Sequence, residues 1–249
     1  MVNARTEPNL NANRKSDPNE SEVRFKSKDN VQLYGDLYQG AAGKSAPIIM
    51  LFHQAGGDAR GEYANLIPVI LQQGYNVIAV DLRTGGNRFG SDNRTVNNLA
   101  GVEYTYCDAY PDLEATLDYV LQAEFSGEKI AWGSSFSAAL VFQLASKRSL
   151  DLNAILAFSP ASGGPMAQCK PDLFVDTLKT PTLVFRPASE MQRETSIKQF
   201  ELFKSHGIQT YIAQNGVHGS SMLDSSRVEG SVSEHWESVL TFIKRNSEE

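Results

Sequence analysis

The sequence is poor in the residues that bind metals and does not bring them together. Its 249 residues include two cysteines and four histidines, with no CxxC or HExxH spacing. Protein zinc sites are usually built from such closely spaced ligands. We therefore expect no metal site and no cofactor.

Positive charge is also scarce. The chain has 23 Lys and Arg residues against 29 Asp and Glu residues, a net charge of -6, and no basic stripe. Such a chain is poorly suited to nucleic acid or anionic lipid. No apolar run approaches the roughly 18 residues of a membrane-spanning helix, so we expect no membrane span.

The first twenty residues lack the apolar segment of an export signal. They are polar and rich in asparagine, which is typical of a disordered tail. We therefore expect a tail over residues 1–20 and a single domain over residues 21–249. As written, the chain is expected to be soluble and cytoplasmic, or exported if a signal segment has been removed. The sequence leaves the oligomeric state open.

The two cysteines, Cys107 and Cys169, lie far apart in the sequence. They form either one disulfide or two buried thiols, and their number does not decide between these. Cysteine is among the residues most often buried in a core of this size. We therefore favour free thiols.

Hydrophobic periodicity predicts an α/β fold. Alternating apolar residues around the turn sequence SKDN, from Val23 to Leu37, indicate an N-terminal β-hairpin. Short apolar runs then alternate with helical patterns, which favours a mostly parallel, doubly wound sheet of about eight strands. The expected strands span 48–53, 76–82, 129–133, 154–159, 182–187 and 210–215. The expected helices span 61–74 (with Pro68 inside), 111–124, 137–148, 196–207 and 233–246.

Two connections, 83–110 and 160–180, are longer than usual and rich in turn residues. In a doubly wound sheet, ligands bind beyond the carboxyl ends of the strands, where the 83–110 connection begins. The second connection is too short for a large lid. We therefore expect an open, shallow pocket and no large cap domain.

The stretch KIAWGSSFSAA (129–139) contains three serines at the end of a predicted strand. A nucleophile on a tight strand-to-helix turn needs small residues two positions before and after it. Ser134 has aromatic residues there, whereas Ser135 has Gly133 and Ser137. Ser137 itself falls inside the helix. Ser135 is therefore the candidate nucleophile, and a simple helix cap is the alternative interpretation.

A serine nucleophile needs a base, and the base needs an orienting carboxylate. In this topology the acid follows a later strand, where Glu190 comes after TLVFRP. Asp172 and Asp176 are rivals, although both precede that strand. Glu190 also has an alternative role as a first-turn carboxylate of a helix.

The base is expected after the last strand, where His218 stands in the loop GVHG. The order Ser, Glu, His is that of hydrolases with this topology. The other histidines have simpler interpretations. His206 resembles a charge at the end of a helix, His235 an exposed helix residue, and His53 a supporting residue at a strand end.

The oxyanion hole requires two backbone N–H groups that point at one position. One is expected from Phe136, directly after the nucleophile. The other is expected from the loop HQAGG (53–57), where we favour Ala55, with Gln54 as the alternative. This loop contains neither GxGxxG nor GK[ST], which argues against nucleotide binding there.

Several side chains near the strand ends are candidates for lining the pocket. The arginines among them are suited to recognising a substrate carboxylate, although we favour structural salt bridges for each. Arg88 has the same two interpretations, recognition of a substrate carboxylate or a structural salt bridge. The candidate pocket residues are His53, Arg83, Phe89, Tyr104, Tyr106 and Arg186.

The motifs LFHQAGG, VDLRTGG, WGSSFS, the SE after TLVFRP, and GVHG occur in this order. Together they resemble the α/β-hydrolase superfamily, in particular compact serine hydrolases similar to dienelactone hydrolase, over residues 22–245. The resemblance implies Ser135 as nucleophile, His218 as base and Glu190 as acid. The departures are Gln54 in place of the usual HG, Ser137 for the second glycine, and glutamate for the commoner aspartate.

The resemblance implies a small-molecule ester as substrate. Dienelactone hydrolases proper use a cysteine nucleophile, so the serine argues for ordinary ester hydrolysis through an acyl-enzyme. The alternatives are a peptidase or amidase of the same fold and a non-catalytic binding protein, because this fold hosts several functions.

Overall fold

The computed structural model describes residues 20–247. The tail expected over residues 1–20 lies outside this range, apart from Glu20 at the start of the first strand. Eight strands and seven α-helices follow. The strands are β1 (Glu20–Lys26), β2 (Gln32–Tyr38), β3 (Ile48–Phe52), β4 (Asn76–Asp81), β5 (Lys129–Ser134), β6 (Ala154–Phe158), β7 (Thr182–Pro187) and β8 (Gln209–Ala213). The helices are α1 (Ala59–Tyr63), α2 (Ile67–Gln72), α3 (Arg94–Asn97), α4 (Tyr110–Gln122), α5 (Phe136–Lys147), α6 (Glu194–Ser205) and α7 (Ser233–Arg245).

All eight strands form one sheet in the order β1-β2-β4-β3-β5-β6-β7-β8. The β1–β2 hairpin joins β4 in antiparallel fashion, and the six strands from β4 to β8 pair in parallel. The predicted α/β sheet of about eight strands with an N-terminal hairpin is confirmed. Within residues 20–247, no insertion between strands forms a large cap.

Both faces of the sheet are covered, as the unbroken apolar runs predict. Successive residues of β3 point to opposite faces: Met50 and Phe52 pack with α4, α5 and α6, whereas Ile49 and Leu51 pack with α1, α2 and α7. The carboxyl ends of the parallel strands are left free at one edge. The loops that carry the candidate residues all leave from this edge.

The helix predicted over 61–74 is two helices. Asp58 caps α1 by accepting a hydrogen bond from Gly61 N (2.8 Å). Pro68 then occupies the first turn of α2. Because proline has no N–H and cannot continue a helix from the preceding turn, it starts a new one here.

The prediction of free thiols is wrong, because Cys107 and Cys169 form a disulfide with their Cα atoms 5.7 Å apart. Cys107 lies at the end of the 83–110 connection, directly before α4, and Cys169 lies in the 160–180 connection. Both segments pack in the hydrophobic cluster around α5. Neither the number of cysteines nor their spacing reveals that this helix brings the two connections together.

Among residues 20–247, no helix has both the length and the hydropathy needed to cross a membrane. The same part of the chain holds no group of three or more His, Cys, Asp or Glu side chains placed to bind a metal ion.

Candidate active site

Ser135 occupies a sharp turn between β5 and α5. Its backbone has φ 61° and ψ −112°, a region that residues other than glycine rarely adopt. The turn is fixed by the hydrogen bond from Ser135 N to Phe158 O (2.8 Å). A Cβ on Gly133 would lie 2.5 Å from Ser137 O, so only glycine fits two positions before Ser135. The tight turn expected from the sequence is therefore present.

The three serines of this turn have different surroundings. Ser137 Oγ accepts from Ser134 N (2.8 Å) and lies 2.7 Å from Phe52 O, so its hydroxyl fastens the turn to β3. Ser134 Oγ donates to Glu62 Oε1 (2.6 Å) and accepts from Ser220 N (2.9 Å). Ser135 is 9% exposed, and no hydrogen bond within residues 20–247 engages its Oγ. It is the hydroxyl left free for chemistry.

Glu190 and His218 form a hydrogen-bonded pair. Glu190 begins a 3₁₀ turn that follows β7, and its Oε1 accepts from His218 Nδ1 over 2.5 Å. Burial alone would raise the pKa of Glu190, but the hydrogen bond and charge of His218, together with the charge of Arg186, hold this pKa below its ordinary value. The rivals have other partners: Asp172 binds Gln199, and Asp176 binds a histidine at the end of α6.

The His218 loop packs directly on the turn that carries Ser135. Gly219 has φ 71°, and a Cβ there would clash with Ser134 Oγ. Gly219 N donates to Ser159 Oγ (3.1 Å), and Ser220 N donates to Ser134 Oγ. These contacts bring the segments of His218 and Ser135 together, although the two side chains are not hydrogen-bonded to each other in this structure.

The remaining histidines lie away from this pair. His53 is fully buried and links two strand ends: its Nε2 accepts from Leu82 N (2.9 Å), and its Nδ1 donates to Gln54 O (2.9 Å). His206 caps α6, as expected for a helix end. The prediction that His235 is exposed is wrong. It is 3% exposed, because its face of α7 packs between Tyr211 and Asn215, and burial lowers its pKa.

The loop after β3 distinguishes the two oxyanion candidates. Gln54 N donates to Glu62 Oε2 over 2.6 Å, so this N–H is already engaged in the interior. Ala55 is then the candidate from this loop. The second candidate donor, Phe136 N, belongs to the first residue of α5, where backbone N–H groups have no partner within the helix.

Arg83 and Arg186 both bind carboxylates of the protein itself. Arg83 donates to Asp112 Oδ1 (2.7 Å) and Asp29 Oδ2 (2.5 Å). Arg186 donates to Glu190 Oε2 (2.6 Å). Both guanidinium groups are buried, which corresponds to the structural alternative from the sequence.

The aromatic candidates occupy three different places. Tyr106 stacks on Phe136 with ring centroids 5.0 Å apart, and so it lies against the residue that follows the candidate nucleophile, Ser135. Tyr104 covers the guanidinium of Arg83 at 4.9 Å. With Arg83, Cys107 and Gln143 it lines a cavity of about 420 Å³. Phe89 lies over Arg227, beside α1.

Sequence reasoning missed Glu62, which connects three parts of the site. Its carboxylate accepts from Gln54 N, from Gln54 Nε2 (3.1 Å) and from Ser134 Oγ. Through Ser134 it is also tied to the loop of His218. Glutamate on a short helix is usually solvent-exposed, so the sequence carries no signal for this role.

The fold has many counterparts among solved structures. An esterase from Pyrococcus furiosus is 16% identical over 92% of this chain and 91% of its own, with a TM-score of 0.68. The Est1E protein of Butyrivibrio proteoclasticus is 13% identical over 90% of this chain and 98% of its own, with a TM-score of 0.67. An acylaminoacyl peptidase from Pyrococcus horikoshii is 16% identical over 92% of this chain but only 42% of its own, with a TM-score of 0.67.

These similarities show that the chain has the α/β-hydrolase fold. No protein-family model and no curated protein matches its sequence.

Proposed function

We propose that this protein is a serine hydrolase that cleaves small carboxylic esters with Ser135, His218 and Glu190. The observation that carries the proposal is the hydrogen bond between the buried Glu190 carboxylate and the half-exposed His218, beside a strained turn that presents Ser135. This combination supplies an oriented base next to a free hydroxyl. The strain at Ser135 is maintained by the packing around Gly133.

The mechanism follows from the tautomer of His218. Because Nδ1–H donates to Glu190, Nε2 is left to accept the proton of Ser135 Oγ as the hydroxyl attacks the ester carbonyl. The N–H groups of Phe136 and Ala55 bind the developing oxyanion. His218 then returns the proton to the leaving alcohol, and water releases the acyl group by the same steps. The Ser135–His218 contact forms when substrate binds, as is common for catalytic hydrogen bonds that are loose in the free enzyme.

Two similar structures are named as an esterase and a peptidase, and the match to the peptidase covers less than half of that chain. An ester is therefore the favoured substrate, and an amide or peptide is the alternative. A panel of esters and amides with the same acyl group separates the two. Faster turnover of the amides would assign the protein to the peptidase class.

The test replaces Ser135 with alanine. Hydrolysis of a short-chain chromogenic ester should fall by about 10³-fold or more, because the nucleophile is lost. Labelling by a fluorophosphonate probe should also disappear, and His218→Ala should prevent labelling as well. Ser146→Ala, on the exposed side of α5, is the matched control and should keep full activity. Full activity of Ser135→Ala, or a wild-type protein that neither labels nor hydrolyses esters, would refute the proposal.

A further inference from the structure

Arg186 lies behind the Glu190–His218 pair, near the end of β7. The two oxygens of the Glu190 carboxylate are divided between them: Oε1 accepts from His218, and Oε2 accepts from Arg186 over 2.6 Å. Glu190 is 5% exposed and Arg186 3% exposed. Solvent therefore screens the attraction between them only weakly.

The guanidinium of Arg186 is held from two other directions. It donates to Pro160 O (2.6 Å), just beyond β6, and to Gln199 Oε1 on α6. Gln199 in turn donates to Asp172 Oδ2 over 3.1 Å. The neutral amide thus stands between Arg186 and Asp172, and within residues 20–247 Glu190 is the one carboxylate in direct contact with this arginine.

Four charged or titratable groups surround this guanidinium. Glu190 lies on the turn after β7, Asp172 on the 160–180 connection and Arg193 directly before α6. His218 contacts Glu190 from the loop after β8. Burial alone would favour a neutral Glu190, and the nearby positive charge of Arg186 helps to keep it ionised. An ionised Glu190 is what fixes the Nδ1–H tautomer of His218.

We propose that Arg186 is a positioning residue of the active site: it keeps Glu190 ionised, with Oε1 turned toward His218, and sets the pH range in which His218 acts as a base. Arg186 does not touch the substrate in this role. The inference rests on the proposed function, but it also predicts the titration of His218, which is measurable without any substrate.

The experiment compares Arg186→Gln, Arg186→Lys and the control Arg148→Gln. Arg148 follows the far end of α5 and binds Asp118 and Asp151, so its replacement removes one ion-paired positive charge away from the site. The pKa of His218 is followed by NMR. The pH dependence of kcat/KM is measured with the short-chain chromogenic ester, and near-UV circular dichroism reports folding.

Loss of a buried positive charge near His218 favours its protonated form. In Arg186→Gln we therefore expect the His218 pKa and the acidic limb of kcat/KM to move up together by about one unit. Arg186→Lys keeps the charge but lacks the planar fork that reaches three acceptors. It should leave the His218 pKa within about 0.3 unit while lowering kcat by about tenfold with little change in KM. Arg148→Gln should change neither quantity.

A folded Arg186→Gln protein in which His218 titrates as in the wild type would overturn the inference. If Arg186→Gln does not fold, Arg186→Lys decides: a full-unit shift of the His218 pKa, or unchanged kcat, is inconsistent with the role. If the wild type hydrolyses no ester but the His218 titration shifts as expected, the proposed function fails and the electrostatic role of Arg186 stands.

Discussion

Replacing Glu62 tests the carboxylate that links the loop after β3 to the end of β5 and, through Ser134, to the His218 loop. Its side chain is fully buried, and the hydrogen bonds that its carboxylate accepts within residues 20–247 all come from neutral groups. Three hydrogen bonds compensate for this burial: two come from Gln54 and one from Ser134. Each donor is itself buried, so removing the acceptor leaves all three unsatisfied.

The expected destabilisation follows from these donors. An unsatisfied buried donor costs about 1–3 kcal/mol, so Glu62→Leu should lower the free energy of unfolding by about 3–6 kcal/mol after partial relaxation. In Glu62→Gln, the new side-chain carbonyl still accepts from Gln54 N. If the side-chain amide of Gln54 flips, the new NH₂ group donates to the Gln54 side-chain oxygen. Only the Ser134 hydroxyl then lacks an acceptor, and the cost is about 1–2 kcal/mol.

The pH dependence has a definite sign. Burial raises the pKa of Glu62, and its hydrogen bonds with Ser134 and Gln54 only partly oppose this. The folded state therefore binds this proton more tightly than the unfolded chain does. The stabilisation from protonated Glu62 is present below the unfolded pKa, near 4.5, and is lost as the pH rises through the folded pKa. Glutamine does not titrate. As the pH rises through this window, the free energy of unfolding of Glu62→Gln should therefore increase relative to that of the wild type by up to about 1.4 kcal/mol per pH unit.

Urea unfolding at several pH values between 4.5 and 8 measures both effects. Glu201→Gln is the matched control, because Glu201 is an exposed helix residue paired with Lys204; its effect should stay within about 0.5 kcal/mol. The reasoning is refuted if Glu62→Leu unfolds at the wild-type urea concentration. It is also refuted if the difference between Glu62→Gln and the wild type does not change with pH.

Two further predictions concern the turn and the disulfide. Gly133→Ala places a methyl group against the backbone at Ser137 O, which should cost about 1–3 kcal/mol of stability and slow ester hydrolysis by about 10²-fold, because Ser135 is misplaced. The control Gly164→Ala, with open space around it, should change neither stability nor hydrolysis. Equal effects of the two substitutions would contradict the steric argument. Replacing both Cys107 and Cys169 with alanine removes a disulfide that joins residues 62 positions apart. The greater chain entropy of the unfolded state should then lower the free energy of unfolding by about 4 kcal/mol. An unchanged urea midpoint would show that the disulfide does not contribute to stability.

Local patterns predicted most of the fold. The strand over 182–187 coincides with β7, and most other boundaries differ by one or two residues. The exceptions have local causes. Pro68 divides one predicted helix into two. Within 83–110, Asn93 caps the four-residue helix α3, because its side chain accepts a hydrogen bond from Val96 N. Four residues are too few to produce a recognisable period.

The site was less predictable where it depends on contacts between distant segments. Ser135, Glu190 and His218 could be proposed as site residues because steric room and chain order are properties of the sequence. Glu62 was missed because glutamate on a short helix is usually solvent-exposed. A structural salt bridge was favoured for Arg186, but its partner, Glu190, was not predicted. The disulfide was missed because only the packing on α5 brings its two cysteines together.

The contacts of Glu190 explain why the candidate acid is a glutamate. Glu190 must reach His218 with one oxygen and Arg186 with the other, from a turn that starts three residues after β7 ends. Aspartate is one methylene shorter and, from the same backbone position, would have to give up one of the two partners or move the turn. The length of the acid therefore follows from its need to bridge an arginine and a histidine. The departure from the commoner aspartate is then coupled to Arg186, and the pair should be treated as one unit when either residue is replaced.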